Sequence, residues 1–480
     1  MKKAEIEKLI KEGKFEPLPG HAAPQTRREF LASGLLKFSG MLFLPSIVNV
    51  VAQSNFAYAA TCEDDGGGGG STNTLVPFIT INLAGGAMLG ANFVPMDAGG
   101  QKLTSYDKMG LGAGGSLPIE REFGNTPFAG NGISKLLAGI RSTATAATIA
   151  NTAFIGVNVR TRDDSDANKL DVSGMVNAAG LAGAKLPNLG RRDSETGIRQ
   201  SVAFVRPPVP LIVNRYQDLV GASGGFTNAL GRLSKAQQVS LFKSIDKLSM
   251  EQTRRLASLS GGENLKDLVE CAGKKNVDVI SSNNDTLDPR QDGRGIAGVW
   301  NAQNAGDNSQ DLVFCSMVYN VLNGNASTAA LELGGYDYHN NTRTRGDQAD
   351  QQAGALIGRV LETARLMGQK MFLYVSTDGS CSSTVSNSPD AAWRSDRGSA
   401  GVVYMIAFDP AGRPPTKNFQ LGNFTSGQTA NDQFVTGGTA EKAAAGVFAN
   451  YLKFSGRVDL LSKVVPNVFS NSDLDQVVLF

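Results

Sequence analysis

Asp337 and His339 stand one residue apart in Leu331-Glu-Leu-Gly-Gly-Tyr-Asp-Tyr-His339. A carboxylate and an imidazole at that spacing are ligand-type side chains for a divalent metal. The chain has two histidines, His21 and His339. If the N-terminal segment is removed on export, any imidazole chemistry left must use His339. Three other loops offer carboxylates in comparable places: Asp378 in Thr377-Asp-Gly379, Asp396 in Asp396-Arg-Gly398, and the run Asp163, Asp164, Asp166. That acidic run lacks the central Gly and closing Glu of a calcium-binding loop. Taken alone, Asp-x-His also reads as a loop histidine held by hydrogen bonds, and the acidic run as a solvated loop. Metal chemistry would require that these loops meet.

The elements that must position them follow from hydrophobic patterning. Thr328–Leu333 is a mostly apolar run halted by Gly334-Gly335, the pattern of a buried strand. Leu75–Leu83, Thr152–Val159, Met371–Ser376 and Gly401–Phe408 have the same character, and Ser201–Val213 is a further apolar run broken by Pro207-Pro208. Leu83 is followed by Gly85-Gly86, a second Gly-rich strand exit. No Gly-Lys-Ser/Thr follows it, so it is not a phosphate-binding P-loop. Helical spacing appears over Ile133–Ile140, Asp311–Leu322, Gln348–Gly368 and about Thr439–Phe454. Strands alternating with helices predict an α/β fold, a mostly parallel central sheet flanked by helices on both faces. In such sheets ligands bind beyond the C-terminal ends of the strands, which is where Asp337, Asp378 and Asp164 would fall. Ser234–Gln237 and Ser249–Gln252 both match a helix capping box, and about 234–301 is expected to be a helical insertion.

The N-terminus has a different character. Arg27-Arg28-Glu29-Phe30-Leu31 precedes an apolar stretch, and Ala57-Tyr58-Ala59 fits a signal-peptidase site with the cut after Ala59. Paired Arg27 and Arg28 with Phe30 and Leu31 resemble a twin-arginine (Tat) export signal. Residues 1–59 are therefore expected to be a signal peptide read by the Tat translocase. Residues 60–74, with Glu63-Asp64-Asp65 and Gly66 to Gly70, are an acidic, Gly-rich linker. The folded body is expected over 75–480. Phe38–Val51 is shorter than the ~20 residues a membrane span needs, so no stable span is expected. The destination would be the periplasm or outer cell envelope.

A formal net charge of +2 and 19% charged residues leave no basic tract for nucleic acid. Four cysteines in 480 residues do not make a disulfide scaffold. Cys62 lies ahead of the linker, next to Thr61, a poor neighbour for a lipidated cysteine. One bridge among Cys271, Cys315 and Cys381 is open in an oxidising compartment. No haem or iron–sulfur cysteine spacing occurs, and no G-x-S-x-G elbow marks a serine hydrolase.

In order along the chain, these motifs resemble the Tat-exported bacterial domain-of-unknown-function family numbered fifteen hundred and one, of the alkaline phosphatase/sulfatase-like superfamily. Gly334-Gly335-Tyr336-Asp337-Tyr338-His339 is close to that family's Gly-Gly-Trp-Asp-Thr-His. Thr377-Asp378-Gly379-Ser380-Cys381-Ser382 stands for its Ser-Glu-Phe-Gly-Arg-Thr, and Asp396-Arg397-Gly398 for its Asp-His-Gly. Asp163-Asp164-Ser165-Asp166-Ala167 answers loosely to Ser-His-Phe-Asp-Ala. At the first strand exit Ala87-Met88 replaces an acidic residue, and Asp164 and Arg397 stand where the family shows His. A guanidinium has no lone pair to give a metal. The resemblance thus implies a degenerate member: an alkaline phosphatase-like fold keeping Asp337, His339 and Asp396 as ligands, with Asp164 or Asp166. Asp378 would lie behind them, and Arg397 could hold an anion bidentately.

Two functions follow. One is a non-catalytic envelope protein used for binding or assembly, with no cofactor expected. The alternative is a metal-dependent hydrolase of phosphate or sulfate esters, holding Zn²⁺ or Mn²⁺.

Overall fold

The computed structural model describes residues 75–97, 99–108, 116–161, 168–183, 185–191, 204–205, 207, 209–222, 236–237, 240, 243–244, 247, 287–338, 343–383, 393–396, 398 and 401–480. All but Lys247 belong to one compact unit, formed by Cys62–Ile245 and Val277–Phe480. The other unit, Met1–Thr61 with Asp246–Asn276, otherwise falls outside the described residues.

Phe78–Leu83 (FITINL) is strand β1, uncharged and rich in aromatic and β-branched residues. A hairpin follows, β2 (Ile119–Glu122) and β3 (Thr126–Ala129). Helices α1 (Lys135–Thr143) and α2 (Ala146–Ala150) lead into β4 (Thr152–Val159). Next come α3 (Ser173–Ala178) and the two-residue strands β5 (Leu189–Gly190) and β6 (Leu211–Ile212). After α4 (Ile296–Val299), α5 (Gln310–Leu322) feeds β7 (Thr328–Leu333), and α6 (Arg343–Met367) feeds β8 (Met371–Thr377). A short ladder, β9 (Ser382–Ser383) with β10 (Trp393–Arg394), precedes β11 (Gly401–Phe408) and β12 (Gln420–Leu421). The chain closes with α7 (Ala440–Phe454), α8 (Leu461–Val464) and α9 (Asn471–Val477).

Eight of these strands form one sheet in the order β12-β4-β11-β8-β1-β7-β5-β6. Every neighbouring pair is parallel except the two that β11 makes, with β4 and with β8. The fold is α/β with a mostly parallel central sheet flanked by helices. The reversal of β11 matters for function. β1, β7 and β8 end in register, Leu83 opposite Leu333 and Thr377, while β11 begins where β4 ends, Gly401 opposite Val159. Residues that follow β1, β4, β7 and β8 therefore share an edge with residues that precede β11.

Alternate side chains of each strand enter different cores, as the two-residue period requires. Ile79, Ile81, Leu83, Leu373, Val375, Tyr404 and Ile406 join one core with α1, α5 and α6. Phe78, Phe372, Tyr374, Val403 and Met405 join the other with α3 and α7. On the first face, α1 and α6 touch backbone to backbone. A Cβ on Gly354 would lie 2.1 Å from the Leu136 carbonyl oxygen, and one on Gly139 would lie 2.2 Å from that of Gln351. Thr143 Oγ1 donates across the crossing to the Ala355 carbonyl at 2.8 Å.

Residues 287–301, placed by sequence in the helical insertion, pack into this main body. Ile296, Ala297 and Trp300 are buried in the first core, and Trp300 Nε1 donates to Thr363 Oγ1 of α6 at 2.8 Å. Within Ser201–Val213 the strand covers only Leu211–Ile212 among the described residues. Among those residues, no helix is long and apolar enough to cross a membrane.

Candidate functional site

The Gly85-Gly86 turn is the point where the strand-end loops meet. Both glycines have positive φ, +108° and +95°, as the chain reverses out of β1. Their missing side chains make room for two loops. A Cβ on Gly85 would stand 2.7 Å from both Cβ and N of Asp337, and one on Gly86 would stand 2.8 Å from Ser395 Oγ. The loop after β7 and the segment before β11 are thus seated on this turn.

Hydrogen bonds lock the same junction. Asp378 Oδ1 accepts from the backbone N–H of Gly85 and of Gly379, each at 2.9 Å. Thr377 Oγ1 accepts from Ala87 N at 2.8 Å and donates to the Leu83 carbonyl at 3.0 Å. Ser395 Oγ donates to the Gly86 carbonyl at 2.7 Å and accepts from Tyr338 N at 3.1 Å. The β4 exit is drawn in too: Thr161 Oγ1 donates to the Asp378 carbonyl at 3.2 Å, and Thr161 N to Ser380 Oγ at 3.2 Å. Asp378 is fully buried, Asp396 half-buried and Asp337 exposed. Asp396 has φ +60°, a left-handed conformation that Asp tolerates better than most residues.

The structure therefore brings Asp337, Asp378 and the Ser395-Asp396 segment to one edge, around Gly85-Gly86. His339, Arg397, Asp164 and Asp166 lie outside the described residues, as do Arg27, Arg28, Phe30, Leu31, Ala57 and Ala59. Among the described residues no group of three His, Cys, Asp or Glu side chains is placed to hold a metal ion. The described part of the edge also departs from a metal site in kind. Asp378 directs Oδ1 at two backbone amides. Met88, which stands where the resembled family has an acid, is a fully buried core residue whose sulfur packs on Gly346 of α6. Those residues do not by themselves fit a divalent ion.

Beneath the edge lies a carboxyl that the sequence reading passed over. Asp350 of α6 is fully buried and accepts from Asn92 Nδ2 at 2.6 Å. Asn92 Oδ1 in turn accepts from Ser134 Oγ and Leu136 N at the start of α1. Burial pushes the Asp350 carboxyl well above the usual carboxylate range. The tyrosines Tyr106, Tyr336, Tyr338 and Tyr404 sense its charge, and burial raises all four phenols. The signal was present in the sequence: Asp350 falls three residues before Ala353 and seven before Ile357, on the apolar stripe of the helix. Ser395, Thr377 and Thr161 carried no such signal, because short hydroxyls in loops follow no pattern.

A cavity of about 400 Å³ lies away from this edge, lined by Glu122, Arg141, Ala144, Ala146, Ile149, Ala150 and Arg413. It sits where β4 begins and β11 has ended. Arg141 is engaged by Glu120 and Glu122, and Arg413 donates from Nε to the Thr152 carbonyl. No protein-family model matches the chain, and no curated protein shows significant similarity to it.

Proposed function

We propose that the chain is exported by the Tat translocase, cut after Ala59, and serves in the cell envelope as a non-catalytic binding or assembly protein. The family resemblance, an alkaline phosphatase/sulfatase-like member with a degenerate metal site, belongs to the same reading. The export part rests on the N-terminal motif alone, and one structural observation supports the non-catalytic part. The polar groups at the sheet edge join loops to one another: Asp378 Oδ1 holds the amides of Gly85 and Gly379, and Ser395 Oγ bridges Gly86 to Tyr338. A hydrolytic site instead needs groups held ready for a metal, a nucleophile or a leaving group. The Gly-Gly turn packs too closely on Asp337 and Ser395 to admit another side chain.

The test uses protein recovered from the envelope of cells expressing the full chain. An N-terminus at Ala60, export lost in the Arg27→Lys/Arg28→Lys variant, no stoichiometric zinc or manganese by elemental analysis, and no hydrolysis of aryl phosphate or aryl sulfate are expected. Near-stoichiometric metal that disappears on His339→Ala would move the reading to the metal-dependent ester hydrolase.

A further inference from the structure

The cavity of about 400 Å³ lies at the other end of the sheet from the Gly85-Gly86 junction. It meets β4 where Thr152 pairs with Phe408, whereas the junction edge lies where Val159 pairs with Gly401. Its volume is in the range of small-ligand pockets. The guanidiniums of Arg413 and Arg141 and the carboxylate of Glu122 share it with four apolar side chains, Ala144, Ala146, Ile149 and Ala150.

Both arginines are fixed, but by different means. Arg141 is clamped by carboxylates: Nη1 donates to Glu120, and Nε and Nη2 donate to Glu122. Its charge is balanced where it stands. Arg413 is held by backbone instead. Its Nε donates to the Thr152 carbonyl at 3.0 Å and its Nη2 to the Ile149 carbonyl at 3.5 Å. Gly124, at the β2–β3 turn with φ +95°, leaves room for the side chain: a Cβ there would lie 2.9 Å from Arg413 Nη1. Among the described residues, those two neutral carbonyls are the hydrogen-bond partners of Arg413, and no carboxylate pairs with it. Its positive charge is therefore uncompensated there. The Nε–Nη2 edge of the guanidinium is spent on the backbone. The Nη1–Nη2 edge keeps its two parallel N–H donors.

We propose that this cavity binds a small organic monocarboxylate, its carboxylate on Arg413 and a short alkyl group over Ala144, Ala146, Ile149 and Ala150. The parallel N–H pair of a guanidinium edge matches the two oxygens of a carboxylate. Backbone anchoring holds that edge in place before any ligand arrives, which lowers the cost of binding. Glu122 limits the charge that the cavity accepts, because its carboxylate repels a dianion about twice as strongly as a monoanion. The four apolar side chains favour a ligand with an alkyl tail over a bare inorganic anion. The site shares no side chain with the Gly85-Gly86 junction and depends on neither export nor a metal.

Calorimetric titration of the purified full chain with 3-methylbutanoate, 3-methylbutanamide and sulfate tests this. The carboxylate is expected to bind. The amide, equal in shape but uncharged, should bind at least about tenfold more weakly, and so should sulfate. Arg413→Gln should weaken 3-methylbutanoate by about tenfold or more. Ala146→Leu, at an exposed position of α2, should keep the unliganded melting temperature, since leucine is nearly as good a helix former, and should abolish binding by filling the cavity. It decides the matter even if Arg413→Gln does not fold. No heat and no melting shift with wild type up to about 50 mM 3-methylbutanoate would overturn the proposal. So would an amide that binds as well as the acid, or undiminished binding in Ala146→Leu. Sulfate binding as tightly as 3-methylbutanoate would reduce the site to a positive surface patch, and would overturn it too.

Discussion

Gly85 and Asp337 are packed so closely that a single methyl group on Gly85 would fall 2.7 Å from the Asp337 backbone nitrogen and 2.9 Å from its Cα. The contact joins the end of β1 to the loop after β7 and fixes where the Asp337 carboxylate leaves the sheet. Gly85→Ala adds a Cβ both to this contact and to a backbone at φ +108°. It is expected to destabilise the fold by about 3 kcal/mol, combining the left-handed penalty with overpacking. Urea unfolding checks it. A loss under about 0.5 kcal/mol would show that the junction yields freely.

The α1–α6 crossing makes a second prediction, in which two effects of the same substitution oppose each other. Alanine favours a helix over glycine by up to ~1 kcal/mol. At Gly354 that gain should lose, because the new Cβ would meet the Leu136 carbonyl oxygen at 2.1 Å. Gly354→Ala is expected to cost more than about 2 kcal/mol. Gly298→Ala, in α4 with nothing within 4 Å of its would-be Cβ, should be neutral or slightly stabilising. Equal effects at the two sites would mean that propensity, not packing, governs both.

How far the sequence foretold these contacts depended on the element. β7 runs from Thr328 to Leu333 as its apolar run implied, because Gly334-Gly335 ends the pattern abruptly. α6 was legible from its repeat of Ala353, Leu356, Ile357 and Val360, although it begins earlier, at Arg343. The reversal of β11 was not legible. A strand's composition does not encode its direction, and the long β8–β11 connection, with its own β9–β10 ladder, can return the chain either way. That reversal nonetheless preserved the expected edge, since it brings a strand's beginning, with Asp396, beside the ends of the others.

Asp171 should make stability depend on pH. Burial pushes its carboxyl up from 3.8 to about 6, against hydrogen bonds from Ser173 and Val172 that pull it down. Between those values the folded protein keeps a proton that the unfolded chain has released, so stability falls as pH rises. The contribution is full below the unfolded value and lost as pH rises through about 6. Asp171→Asn removes the effect. Its stability relative to wild type should grow by on the order of 2–3 kcal/mol from pH 4 to pH 6.5. Denaturant titrations across that range decide the matter, and a difference that stays constant with pH would exclude Asp171 as the source.

Met88 gives the sharpest separation between a degenerate site and a working metal centre. In the resembled family an acid stands at this strand exit, so Met88→Asp is the substitution that should rebuild the site if the surroundings remain suited to metal. Met88 belongs to the first hydrophobic core. Met88 is fully buried, and its Sδ lies 2.4 Å from where a Cβ on Gly346 would be, so the thioether fills a gap against α6. A carboxylate there loses that packing and is desolvated, at a cost of about 3–5 kcal/mol. A metal that bound the folded variant would recover stability by mass action, about 2.7 kcal/mol at a hundredfold excess over its dissociation constant. We expect Met88→Asp to melt well below wild type and Zn²⁺ or Mn²⁺ to leave that melting temperature unchanged, alone or combined with Arg397→His. If Zn²⁺ restores the double variant in a concentration-dependent way, and His339→Ala cancels the rescue, then the edge still holds a metal site. The wild-type chain would in that case be one or two substitutions from a hydrolase.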